Sequence, residues 1–156
     1  LGKPVQLPYW RGRVRRSLRT YPDHTEVAYW DREDAHMVHP STRRPVVAKV
    51  PGLTVEQLVQ LRAVVQISRH DTMQIAFAIG AVPAGSVGSV EEALGHLGQW
   101  VHLLPAEWGE VWYEPPVALS GKVDLLLATA MPNMPFNRNA QALFHAYRLT
   151  TRASSA

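Results

Sequence analysis

Cysteine is absent from all 156 residues. That excludes disulfides, a thiolate nucleophile and the common zinc-finger ligand sets. Long hydrophobic runs are missing too: no uninterrupted apolar stretch approaches the roughly 20 residues that cross a bilayer, and the N-terminus lacks the apolar segment of a secretory signal. No membrane partner is expected. The first twenty residues contain no Asp or Glu but carry Lys3, Arg11, Arg13, Arg15, Arg16 and Arg19, a local excess hidden by a net charge of only +3 for the whole chain. No internal repeat or low-complexity segment interrupts the sequence. Its length and its 46% hydrophobic content suit one domain with an ordinary core.

What is there reads as short strands separated by turn chemistry. "HTEVAYW" (24–30) and "RPVVAKV" (44–50) flank a polar, His-rich connection. "PGLTVEQLVQL" follows, where Thr54 can cap a short helix with Val55, Leu58, Val59 and Leu61 on one side. "RAVVQIS", "MQIAFAIGAV", "QWVHLL", "EVWYEP", "KVDLLLATAM" and "AQALFHAYRLTT" complete the strands. In the last, Leu143, His145, Tyr147 and Leu149 alternate with Ala142, Phe144, Ala146 and Arg148, a pattern for a sheet with protein on both faces. A second short helix is expected after Ser89, an N-cap residue followed by Glu91 and Glu92 in the dipole-favoured first turn. Prolines 105, 115, 116, 132 and 135 oppose long helices in the second half.

Catalytic signals are few. Ser86 in "AGSVG" approaches the glycine-framed serine elbow of hydrolases, but Ala84 replaces the first glycine and most connections are too short for a parallel sheet. His36 and His39, near Asp31, Glu33 and Asp34, match no metal-ligand spacing and read as a surface loop. Glu107, Glu110 and Glu114 could supply a carboxylate pair, yet Trp108 and Trp112 between them point to binding by an edge strand. No catalytic residue, metal or cofactor is expected. The alternatives are a small hydrolase using Ser86 and a non-viral β-sandwich binding module.

"IAFAIGAVPAGSVGSVEEALGHLGQWVHL" resembles the region around strands E and F in the coat proteins of small icosahedral positive-strand RNA viruses, tymovirus-like or picornavirus-like, and "EVWYEPPV", "KVDLLLATAMPNMP" and "AQALFHAYRLTT" are similar to their strands G, H and I. The resemblance spans about 46–151 and rests on the order of these pieces. It implies an all-β fold, an eight-stranded antiparallel jelly-roll β-sandwich with two short helices. The domain division would be a basic N-terminal arm at 1–23 and a jelly-roll capsid domain at 24–156. It also implies a structural capsid protein, not an enzyme, found in the virion and, during assembly, in the host cytoplasm. Its partners would be many copies of itself, alone or with other capsid subunits, and genomic RNA. Trp100, Trp108 and Trp112 would then lie at subunit interfaces, and His36, His39 and His70 would titrate there between roughly pH 5 and 8. Leu1, where a methionine would start a full reading frame, fits a chain cut from a precursor or lacking its true beginning.

The RNA-binding expectation rests on Lys3, Arg11, Arg13, Arg15, Arg16 and Arg19. Guanidinium forks pair with phosphates and release counterions. Replacing Arg11, Arg13, Arg15 and Arg16 with alanine should flatten the slope of log affinity against log salt by up to about 3 units. Filter binding to RNA at several salt concentrations measures it, and an unchanged slope would refute phosphate contact by these residues.

Overall fold

The computed structural model describes residues 3–4, 17–18, 27–30 and 32–152. Its ten strands are β1 (Lys3–Pro4), β2 (Ser17–Leu18), β3 (Val27–Trp30), β4 (Ala35–Val38), β5 (Val46–Ile67), β6 (Ile75–Pro83), β7 (Val101–Leu103), β8 (Trp108–Tyr113), β9 (Leu119–Ala130) and β10 (Ala142–Thr151). One helix, α1 (Val90–Leu94), follows β6. Every pairing is antiparallel. The all-β expectation therefore holds, and eight of the strands are longer than two residues.

Strand β5 organises the rest. Its first half pairs with β9, and β9 pairs onward with β6 and β6 with β7. Its second half lies between β8 and β10, with β4 and β3 beyond β10. One strand thus belongs to two layers. The change of layer occurs at two register shifts, between Val50 and Leu53 and between Val55 and Leu58. Gly52 has φ 94 and Gln57 φ 52, left-handed values of the kind found at one class of bulge. The Gln57 bulge is held from both sides: its N–H donates to Ser120 Oγ at 2.9 Å, and its carbonyl accepts from the Arg152 N–H at 2.8 Å.

The helix expected to start at Thr54 is therefore part of β5. Val55, Leu58, Val59 and Leu61 fit a helical stripe as well as a bulged strand. The non-local pairing with β8, β9 and β10 decides for the strand, in agreement with the β-branched content of the segment. In β10 a bulge at Ala146 (φ 52) shifts the register between His145 and Arg148. Phe144 and Tyr147 consequently both enter the core, where a regular strand would place them on opposite faces.

The layers meet through one main core. Val46, Ala48 and Val50 of β5, Phe77 and Ile79 of β6, and Leu125 and Leu127 of β9 face Val65 and Ile67 of β5, Val111 of β8 and Phe144 of β10. The Phe77 and Phe144 rings touch edge to face across the layers, centroids 5.6 Å apart. A second cluster lies on the outer face of the β5–β9–β6 layer, where Val47, Ala78, Leu126 and Ala128 are covered by Val87, Val90 and Ala93 of α1 and its loop. The cap of α1 is as expected: Ser89 Oγ accepts from the Glu92 N–H at 3.2 Å. Beyond the helix the chain passes tightly back toward β8. Gly98 donates to the Ile79 carbonyl at 2.9 Å, and a Cβ at Gly98 would lie 1.9 Å from the Trp112 carbonyl oxygen.

The proposed arm at 1–23 supplies β1, paired with β10, and β2, paired with β5. The side chains of Lys3, Arg11, Arg13, Arg15, Arg16 and Arg19 lie outside the described residues, as does Asp31. Among the described residues, no helix is long and apolar enough to cross a membrane.

Beneath the loop between β6 and α1, Lys49 and Asp124 are buried together. Lys49 Nζ donates to the Val87 carbonyl at 2.8 Å and stands 4.0 Å from Asp124 Oδ2, which accepts from the Gly85 N–H at 2.9 Å. Lys49→Met or Asp124→Asn alone leaves a buried charge without its partner and should cost about 3–5 kcal/mol in urea unfolding. The double replacement should cost less than the sum, and strict additivity would show that the two do not act as a pair.

Candidate functional site

The polar and aromatic residues of interest collect on the outer face of the second layer. Leu61, Ala63, Val65 and Ile67 of β5 point into the core, so Arg62, Val64 and Gln66 point away from it. By the same alternation Val111 and Tyr113 of β8 point inward, and Trp108, Glu110 and Trp112 outward. The ladder places Gln66 opposite Trp108, Val64 opposite Glu110 and Arg62 opposite Trp112, while His145 of β10 lies on the other side of Val64.

Trp108 is 72% exposed and Trp112 37%. Four residues apart on one strand, their attachment points are about 13 Å apart. Between them Arg62 Nη2 is ion-paired with Glu110 Oε1. At the far end Gln60 Nε2 donates to Glu114 Oε1 at 3.4 Å. Val64, Gln66, Trp108 and His145 line a hollow of 380 Å³. Among the described residues, three buried side-chain polar atoms have no hydrogen-bond partner, and two of them, Arg62 Nε and His145 Nε2, belong to this face. Such atoms are uncommon because each forgoes its bonds to water.

The paired-carboxylate reading has no geometry behind it. Glu107 Oε1 accepts from the Leu104 N–H at 2.7 Å, closing the turn before β8, while Glu110 and Glu114 are engaged as above. Ser86 lies exposed in the turn above Asp124, and its backbone N–H donates to the Pro83 carbonyl at 3.1 Å.

The histidines depart furthest from the sequence reading. His36 and His39 are buried, at 2% and 5% exposure, where a surface loop was expected. His36 lies on β4, its ring 5.6 Å from those of both Tyr29 and Tyr147, with Nδ1 2.9 Å from the Tyr147 hydroxyl. His39 Nδ1 lies 3.1 Å from the Pro40 carbonyl oxygen. Pairing of β4 with β3 and β10 draws this stretch into the interior, which accounts for the correction. His70 is exposed, as a turn residue should be.

The three tryptophans grouped in the sequence also separate. Trp100 lies by the outer face of the other layer, partly buried against the cluster under α1. There a cleft of 430 Å³ has Ala76 and Ala130 in its floor, with Trp100, Leu94 and the 41–45 loop around it. His145 and Arg62 escaped the sequence reading because neither neighbours Trp108 in the chain; only the pairing of β5 with β8 and β10 joins them.

A family model described as a family of unknown function, DUF6212, matches residues 10–130. No curated protein matches the chain. A solved structure, that of TmCBM61 in complex with β-1,4-galactotriose, is similar with a TM-score of 0.39 at 8% identity over 82% of each chain. That likeness is too remote to bear on fold or ligand.

Burial holds the His145 imidazole below its ordinary pKa, with Asp34 pulling in the opposite direction. The unfolded chain therefore binds the proton more readily than the folded one. This contribution to stability is complete above about pH 6.5 and is lost as pH falls through the lower folded-state value. Thermal melting between pH 8 and 5 should show a shallower acid-side decline in His145→Phe than in the parent. Identical slopes would contradict it.

Proposed function

The chain belongs to the DUF6212 family, whose function is unknown, and for this member we propose binding: a β-sandwich module that takes a neutral oligosaccharide along the outer face of β8, β5 and β10. The observation that carries this is the juxtaposition of two exposed indoles with two buried, unsatisfied nitrogen atoms. The C–H face of a pyranose is apolar and lies flat on an indole, whereas its rim of hydroxyls needs donors and acceptors. Arg62 Nε is a donor, and His145 Nε2 donates or accepts according to its tautomer. Because Arg62 is already neutralised by Glu110, the middle of the face favours an uncharged ligand. The separation of Trp108 and Trp112 favours a chain over a single sugar.

A second reading uses the same tryptophans. Leu104, Trp108, Trp112 and Val117 are all exposed, and such side chains suit contact between copies of the chain. A jelly-roll shell subunit, with RNA held by the arginines of the first twenty residues, would bury them in assembly.

Affinity electrophoresis through gels containing neutral plant and microbial polysaccharides separates the two. Retardation should occur with at least one polymer, and Trp108→Ala or Trp112→Ala should each weaken it by roughly 2 kcal/mol, about thirtyfold in Kd. Sedimentation should show the same monomer with and without the substitutions. No retardation by any polymer, together with large particles that the substitutions dissolve, would favour the shell subunit.

A further inference from the structure

Beyond that face, we infer a separate small-ligand site in the cleft beside Trp100, selective for an apolar molecule bearing a carboxylate. Its position follows from the extent of α1. The helix and its loop cover the outer face of the β5–β9–β6 layer over Ala78, Val82, Leu126 and Ala128. The helix ends at Leu94, however, and the next outward pair along the ladder, Ala76 and Ala130, forms part of the cleft floor. Alanine gives the cleft its depth, since a larger side chain at either position would occupy the space. Leu94, Trp100, Met131 and Pro132 make its surroundings largely apolar, and 430 Å³ is within the range of small-molecule sites.

The polar groups have one character. Arg43, Arg44 and His102 line the cleft together with Ser41 and Thr42, and among the described residues no carboxylate does. Arginine only donates hydrogen bonds, so the polar end of a matching ligand must accept them. The structure already contains an example of such an acceptor: Glu91, from the first turn of α1, places Oε1 2.9 Å from Arg44 Nη1, with the pair about half exposed to water. A ligand carboxylate would take up this bond in exchange for Glu91, whose own carboxylate is largely exposed and is left to water, so the site binds by ion-pair exchange. An exposed pair is weak enough to be exchanged in this way.

The test uses 4-phenylbutyrate and its primary amide, equal in shape and different in charge, titrated into the full chain by calorimetry. The carboxylate should bind about tenfold more tightly than the amide, the contribution of one charge-assisted hydrogen bond. Glu91→Gln should strengthen carboxylate binding, and Arg44→Gln should abolish the preference while leaving the amide unaffected. Ala130→Leu should remove binding of both by filling the floor. Trp100→Ala provides a second route should that variant melt early, and it too should weaken both probes. Equal affinity for acid and amide would overturn the inference, as would no binding at millimolar probe or full binding in both Ala130→Leu and Trp100→Ala. None of these outcomes involves Trp108 or Trp112, so they leave the saccharide reading untouched.

Discussion

The molecule depends on one constraint, the requirement that a single 22-residue strand serve two layers. A regular strand of that length would run far past the edge of a small sandwich, at about 3.3 Å per residue. The bulges at Gly52 and Gln57 divert it. Its two halves then recruit different neighbours, β9 for the first and β8 with β10 for the second. Everything that follows inherits this division. The core between the layers is formed largely by the inward alternation of both halves of β5 and the strands they recruit. The outward alternation of the second half supplies Arg62, Val64 and Gln66 to the site.

The two outer faces are treated differently, and this asymmetry gives the chain its two candidate binding surfaces. On the first layer a helix of five residues, fixed by the Ser89 cap and anchored over the buried Lys49–Asp124 pair, covers the apolar strip. It is too short to cover all of it, and the remainder is the cleft at Trp100. On the second layer Trp108 and Trp112 stay exposed around an internally neutralised Arg62–Glu110 pair. A face whose charges are already matched gains little from an ionic partner. The tryptophan face lies on β-strands of a packed scaffold, which holds its side chains at fixed separations, whereas the cleft takes only Ala76, His102 and Ala130 from strands and the rest of its lining from loops and the end of α1.

Much of the strand content was legible in the sequence because it is local. The period-two run Ile75, Phe77, Ile79 in β6 and the Ser89 cap with two following glutamates each announce themselves within a few residues. What could not be read is non-local. A single residue at Gln57 or Ala146 in the left-handed region reverses which side chains face inward, and neither glutamine nor alanine signals it. The stretch containing β4 looked like a polar loop because Glu33, Asp34, His36 and His39 dominate its composition. Pairing with β3 and β10 buries it, and Tyr147, more than a hundred residues away, gives His36 its partner. The candidate site was half visible. Trp108 and Trp112 alternate within one strand, whereas Arg62 and His145 join them only through the ladder, and Trp100, close in sequence, belongs to another surface.

The central claim is that the face of Trp108, Trp112, Arg62 and His145 is where a neutral oligosaccharide lies. The most direct measurement is a titration of the isotope-labelled chain with such an oligosaccharide, followed by the indole N–H and histidine ring resonances. The account predicts saturable shifts for Trp108, Trp112 and His145 with Trp100 unmoved. Shifts centred on Trp100, or none at any of the four residues at saturating oligosaccharide, would contradict it.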